Sequence, residues 1–437
     1  MTKKKNIDII FLIQRSNKLG YKDIDHILPF LHFLSKSRKL EYKARGFIFD
    51  NEENYIKDLD PRVELISRMK NVEIKYLYKT NFIDKLENFP LLKINLKFFR
   101  ILNALLNKLK NKIYKNNLLK INWQNEVGKN FFNSHTPLIF TLIYNEDIFS
   151  NIISKIKKIN KKAKWIVLPH GTTICDNKMV HDSHLNKNEK SNKNNLYSKI
   201  DYVFKTSRRD YFDAVANGLK KNKGKVIGSP RFCREWLKLK SDLQLDGKKI
   251  AINEKKKIRI LFLLPKQYIN VFTEELIRTI DFLSSYEEFE IKVVNYYYYP
   301  RLPSHVYNRT NLKRYLISKQ FSTSQLINWS QIIFHVGTGV VFESFMKEKI
   351  TVFPKYLTCN TLISNRYNAG LNLTNRDDLR NFCNLASKSI DNLKKDYSKK
   401  YLRSNKRFLS DFVYGNTKSV PDNIIKAVLS STKNLEK

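Results

Sequence analysis

The sequence predicts an α/β protein built as two doubly wound domains in tandem. Three observations predict it. Short apolar runs alternate with helix-like stretches, the pattern of a mostly parallel sheet covered on both faces. The pattern stops at a charged stretch low in aromatics, 238–257, and then restarts. The length, 437 residues, suits two large domains rather than one. The hydrophobic fraction of 42% is enough to fill such cores, which sets aside a disordered chain.

In the first half, a strand at 7–13 (IDIIFLI) leads into a helix over 24–35. Strands follow at 46–49, 72–77 and 137–143, then a helix over 146–160 and strands at 164–168, 201–205 and 225–227. The stretch 176–196, rich in Asn, Lys and Ser, reads as a loop. After the linker come strands at 258–264, 289–296, 331–336 and 350–353, helices over 271–284 and 340–347, and helices through much of 377–437. The expected domains are 1–237 and 258–437, joined by 238–257. In doubly wound sheets ligands sit beyond the carboxyl ends of the strands, so two such domains facing each other make a cleft.

The opening MTKKKNIDIIFLIQRSN imitates a signal peptide, but its apolar run is short, carries Asp8 and precedes no small-residue cleavage site. It reads as a buried strand. No run reaches the roughly 18 apolar residues of a membrane-spanning helix. Cys175, Cys233, Cys359 and Cys383 are far apart and form no CxxC, which fits reduced thiols in a cytosolic protein.

The formal charge is +40, from 81 Lys and Arg against 41 Asp and Glu. Two readings of it stand: the Lys- and Asn-rich composition of an A/T-rich genome, or contact with acidic lipids or phosphorylated substrates. No zinc-finger spacing, RNA-binding aromatic signature or basic heptad helix points to nucleic acid. Between Asn88 and Asn125 there is no acidic residue, and Phe98, Leu102, Leu105, Leu109 and Ile113 recur at helical spacing. That segment reads either as a helix packed on the sheet or as a basic amphipathic helix lying in a membrane interface.

A Walker A loop, HExxH and GxSxG are all absent. The DxD triplets Asp23-Ile24-Asp25 and Asp58-Leu59-Asp60 follow no long strand directly, and no metal is assigned to them. Three stretches carry more. In KWIVLPHGTT a run of β-formers stops at Pro169-His170-Gly171. There Gly171 is expected to take positive φ and admit a ligand, His170 to move a proton near neutral pH or contact phosphate, and Thr172 and Thr173 to add hydroxyls. In VIGSPRFCREW a strand ends at Gly228, and Arg231 follows the Ser229-Pro230 turn, placed to grip phosphate at the cleft. In IIFHVGTGVVFESF a strand ends at His335, and Gly337-Thr338-Gly339 opens a helix as an anion site. Glu343, one turn on, is placed for a ribose and His335 for phosphate or the reacting centre. GTGVVF has Phe342 where a dinucleotide fingerprint needs its third glycine.

Together, and in this order, the three stretches resemble the two-domain GT-B glycosyltransferases of the bacterial surface and capsule polysaccharide group, which shades into CDP-glycerol glycerophosphotransferases. The resemblance rests on Pro169-His170-Gly171, on Gly228-Ser229-Pro230-Arg231 and on 332–354 with Glu343 and Pro354, scattered motifs within 160–370. It implies two Rossmann-like domains, the first binding an acceptor and the second a nucleotide-sugar donor. Gly337, Thr338 and Gly339 would hold the donor phosphates, Glu343 the ribose, and Arg231 the leaving diphosphate. His170 would act as base, with Asp25 or Asp23 in reserve. No metal or other cofactor is implied. The acceptor would be a surface polysaccharide or a lipid-linked sugar, met in the cytoplasm or at the inner face of the membrane. Transfer of an alditol phosphate from a CDP-linked donor, nucleotide-sugar 2-epimerisation and non-enzymatic membrane or nucleic-acid binding stand as alternatives.

Overall fold

A computed structural model describes residues 5–14, 24–50, 61–78, 137–142, 147–171, 174, 197–243, 245, 250, 257–264, 271–294, 316–317 and 321–433. The amphipathic segment 88–125, the loop 176–196, Asp23, Asp58, Asp60, Thr172, Thr173 and Cys175 lie outside these residues. Two parallel sheets organise the chain. The first holds β1 (Lys5–Gln14), β2 (Leu40–Asp50), β3 (Val72–Tyr78), β4 (Leu138–Thr141), β5 (Lys164–Val167), β6 (Tyr202–Lys205) and β7 (Gly224–Val226). Their order across the sheet is β3-β2-β1-β4-β5-β6-β7. The second holds β8 (Ile258–Leu263), β9 (Phe289–Val294), β10 (Leu316–Ile317), β11 (Ile332–His335), β12 (Ile350–Pro354) and β13 (Leu371–Leu373), in the order β10-β9-β8-β11-β12-β13.

Alternation along each central strand feeds two cores, because successive side chains point to opposite faces. On β1, Ile7, Ile9, Phe11 and Ile13 enter one core, while Ile10 and Leu12 enter the other. On β8, Ile260 and Phe262 face one side, and Leu261 and Leu263 the other. The seven-residue run at the amino terminus is therefore the central strand of a sheet. In both sheets the chain builds outward in one direction and then restarts on the opposite side of its first strand. The switch points lie between β1 and β4 and between β8 and β11. Ligands of open α/β sheets bind at such places.

Helices cover both faces. In chain order they are α1 (Ile24–Ser35), α2 (Pro61–Ser67), α3 (Asp147–Ile159), α4 (Arg208–Ala216), α5 (Arg234–Asp242), α6 (Thr273–Ser284), α7 (Thr323–Trp329), α8 (Val341–Met346), α9 (Ile363–Arg366), α10 (Arg376–Lys388), α11 (Ile390–Phe412) and α12 (Val420–Lys433). No helix among the described residues is long and apolar enough to cross a membrane. Helix α5 reaches Asp242, so the charged stretch read as linker from 238 begins as helix, with Trp236 buried in the first core.

The chain then returns. Phe408, Phe412, Val413, Val420, Ile424 and Val428 belong to the core beneath the first sheet, although they follow the whole of the second. Lys225 on β7 fastens the returning helix. Its ammonium donates to the Ala427 carbonyl at 3.2 Å, to Ser430 Oγ at 2.6 Å and to Ser431 Oγ at 2.9 Å. Gly228 sits where the outgoing and returning segments meet. Its φ is +82°, and a Cβ there would stand 2.7 Å from the Val413 carbonyl oxygen. Glycine alone meets both demands without strain.

Candidate active site

The first half of the site is assembled from three strand ends. The segment after β1 re-enters as α1, whose first turn carries Asp25 and His26. The strand β5 runs out through Leu168 into Pro169-His170-Gly171, and β7 into Gly228-Ser229-Pro230-Arg231. These converge. Arg62 on α2 donates to Asp25 Oδ1, and the Arg231 guanidinium lies 3.4 Å from Asp25 Oδ2. The rings of His26 and His170 stack with centroids 5.2 Å apart and planes 18° apart. His26 also hydrogen-bonds the Pro169 backbone. The Arg231 guanidinium lies over the Phe232 ring, 5.1 Å from its centroid.

Burial would raise the Asp25 carboxyl, but the nearby Arg62, Arg231 and Lys240 cations outweigh it and hold the group well below the usual carboxylate range. Asp25 is thus a carboxylate at neutral pH. The His26 pKa is also lowered, first by burial and then by Arg231 and His170, which leaves the ring neutral at pH 7. His170 is exposed. Gly171, beside it, faces open space: a Cβ there would meet nothing within 4 Å. The expectation of positive φ at Gly171 gives way to Gly228 and Gly337 as the left-handed glycines of these turns.

The second half of the site follows β11. Gly337 has φ +95°, and its N–H donates to His335 Nδ1 at 3.4 Å. The Thr338 carbonyl accepts from Val341 N at 3.1 Å, closing the turn. A Cβ at Gly339 would meet nothing within 4 Å, so the turn opens onto free space at that residue. His335 is 2% exposed, and its ring packs on Phe353 with centroids 5.7 Å apart. Burial pulls its pKa down to about 4, so the ring is neutral. Enclosed against Phe353 and accepting from the Gly337 N–H, it supports the turn from behind rather than reaching outward as the sequence suggested.

Glu343, on α8, is 4% exposed. Its Oε1 accepts from Lys347 at 2.6 Å and its Oε2 from Ser324 Oγ at 2.8 Å. Ser324 Oγ in turn accepts from Lys240 Nζ at 2.9 Å. Burial would raise this carboxyl too, but Lys240 and Lys347 hold it ionised. The residue placed for a ribose is thus already engaged in a chain of hydrogen bonds.

The two halves touch. Phe232, next to Arg231, packs on Phe342, next to Glu343, with ring centroids 5.6 Å apart. The Ile174 carbonyl, four residues past His170, accepts from Ile363 N of α9 at 2.9 Å. The His170 and Arg231 turns therefore both abut the second domain beside α8 and α9. His26, Arg62, Lys240, Ser324 and Lys347 had no sequence motif to mark them. His26 could have been suspected from its place in the first turn after a central strand, whereas Arg62 and Lys240 reach Asp25 and Ser324 only through the fold.

No protein-family model matches the chain, and no curated protein does. Solved structures do. UDP-GlcNAc 2-epimerase from Neisseria meningitidis, bound to UDP-GlcNAc, superposes with a TM-score of 0.55 at 12% identity, over 97% of this chain and 100% of that one. Anabaena HepE, in complex with UDP and glucose, gives 0.52 at 11% identity, over 97% and 99%. The wall teichoic acid polymerase TagF gives 0.50 at 12% identity, over 100% and 91%. At such identities the comparison establishes the fold alone: the chain has the GT-B fold of two Rossmann-like domains.

Proposed function

We propose that the protein is a nucleotide-sugar-dependent glycosyltransferase that works across the cleft of its GT-B fold. One observation carries the reading. His170, Asp25, Arg62 and Arg231 converge at the strand ends of the first sheet, and the Phe232–Phe342 contact joins that cluster to the Gly337–Gly339 turn at the switch point of the second. A site with a proton acceptor and paired guanidinium groups beside an open glycine turn suits a substrate carrying a diphosphate.

In this reading the donor diphosphate lies over Gly337, Thr338 and Gly339, and an acceptor hydroxyl enters from the His170 side. The hydroxyl oxygen attacks the anomeric carbon while His170 takes its proton. The bond from that carbon to the phosphate oxygen breaks, and the nucleotide diphosphate leaves. Arg231 and Arg62 offset the developing negative charge. Asp25, held ionised by the Arg62, Arg231 and Lys240 cations, is too weak a base to accept the proton. It aims the two guanidinium groups instead. Glu343 keeps Ser324 and Lys347 as its partners and supports the glycine turn from behind. A surface polysaccharide or lipid-linked sugar is the acceptor, and a cytoplasmic enzyme working at the inner membrane face fits it.

The stacked His26–His170 pair supports a second reading, alditol phosphate transfer from a CDP-linked donor, in which the exposed His170 meets the attacked phosphate and the neutral His26 ring backs it. Epimerisation draws less support, since Asp25 and Glu343 are both tied into ion pairs rather than poised to move protons.

A thermal-shift panel with UDP, GDP, CDP, CMP and ADP tests the reading, repeated on Gly339→Asp. The open space at Gly339 accepts the side chain, while its charge repels a phosphate. A nucleotide that raises Tm in the native protein and not in the variant identifies the donor class. UDP or GDP supports hexosyl transfer, and CDP favours the alditol phosphate reading. No shift with any nucleotide defeats both. His170→Ala, in turnover assays with the identified donor, is expected to lose about 100- to 10,000-fold in kcat with Tm unchanged. Retention of most activity removes His170 as the base.

A further inference from the structure

We propose that Lys240 is a positioning residue that couples the two halves of the site. The coupling itself rests on geometry. Its consequence for turnover rests on the transferase reading above.

Lys240 projects from α5, which is anchored in the first core by Trp236 and Leu237. Its ammonium crosses to the second domain and donates to Ser324 Oγ on α7 at 2.9 Å. An ammonium has only donors, so the Ser324 oxygen must accept from it and turn its own proton elsewhere. That proton goes to Glu343 Oε2, at 2.8 Å. Lys347, one turn along α8, holds the other carboxylate oxygen at 2.6 Å. The chain Lys240–Ser324–Glu343–Lys347 thus has a fixed polarity, begins on a first-domain helix and ends on the helix that the Gly337–Gly339 turn opens. Ser324 and Glu343 are each 4% exposed, where a hydrogen bond is stronger and its loss is felt more than at the surface. The same ammonium also acts on the first half-site, because its charge helps hold Asp25 ionised.

The link between the domains is therefore the Lys240–Ser324 hydrogen bond, which runs on to the carboxylate that pins α8. If the domains shift relative to each other, that bond breaks. The device sets the register of the glycine turn against the His170 cluster.

The test compares Lys240→Met, which keeps the apolar stem, with Lys240→Arg and Ser324→Ala. Hydrogen exchange is followed in the ligand-free protein over peptides covering 337–346, with the β8 and β11 strand peptides as reference. Lys240→Met and Ser324→Ala are expected to raise exchange several-fold at 337–346 and leave the strand peptides unchanged, and Lys240→Arg to restore protection. With the donor found by thermal shift, Lys240→Met should keep its nucleotide-induced Tm rise while kcat falls about tenfold to a hundredfold, the scale of a misplacement of reacting groups. Unchanged exchange at 337–346 in both Lys240→Met and Ser324→Ala overturns the proposal. So does a rise spread evenly over all peptides, which marks a merely structural residue. If Lys240→Met does not fold, Ser324→Ala and Lys240→Arg decide the question alone. If exchange responds as expected but no nucleotide stabilises the native protein, the coupling stands and the transferase reading falls.

Discussion

At the scale of residues, each titratable group has its state fixed by where the fold puts it. Asp25 and Glu343 are carboxylates because cations outweigh burial, and His26 and His335 are neutral because burial dominates. His335 makes this measurable. Its pKa falls from 6.5 in the unfolded chain to about 4 in the folded one. Between those values the unfolded state binds more protons, so stability falls as pH is lowered through that window. Urea unfolding at pH 7 and pH 5 should show the native protein losing about 2 kcal/mol more than His335→Gln over that interval. Equal losses would mean that the ring titrates normally and is not enclosed. His170 and Arg231 were legible in the sequence because each follows a strand end with a turn signal. Arg62 was not, since nothing in a seven-residue helix says which carboxylate its arginine will meet.

At the scale of elements, the strands were the most readable part. Where the apolar run is fully enclosed, as in β4, β11 and β12, hydrophobicity alone bounds the strand within a residue or two, whereas β2 begins at Leu40, six residues ahead of the expected 46–49, because Glu41, Lys43 and Arg45 alternate with its buried residues there. The shortest elements escaped. Strand β13 spans Leu371–Leu373 and lies at the sheet edge, with Leu373 its one enclosed residue, and α4 is mostly polar with Ala214 its one buried residue. The C-terminal half of α5 was hidden for a different reason: its charged residues resemble a linker until Trp236 and Leu237 are seen against the core. The turn after β7 offers a test at this scale. Gly228→Ala places a methyl against the Val413 carbonyl in a left-handed conformation. A loss of about 1–3 kcal/mol is expected, read as a lower urea midpoint. Gly339→Ala, in open space, should leave the midpoint unchanged. A similar loss in both would refute the close-approach account.

At the scale of the whole molecule, the sequence predicted two tandem units, and the two parallel sheets with mirrored switch points bear out that α/β architecture. What it did not reveal is that the C-terminal end of α11, and α12 after it, return to the first core, while Tyr397 earlier on α11 stays in the second. Helical periodicity shows that a face is apolar, not which sheet it covers. Removing residues 414–433 should therefore damage the distant first domain more than the adjacent second. Limited proteolysis of the truncated chain is expected to cut within 24–243 while sparing 258–388. Cleavage confined to the second domain would contradict the packing described.

The return of α12 also bears on the order in which the protein takes shape as it is made. Val420, Ile424 and Val428 leave the ribosome only after the entire second sheet has been synthesised, yet they fill the core under β1. The first unit to be translated is thus the last to be completed, and α1 waits with its apolar stripe uncovered while the later unit is still emerging. That interval, rather than any weakness of the finished fold, is when the nascent chain most needs a chaperone.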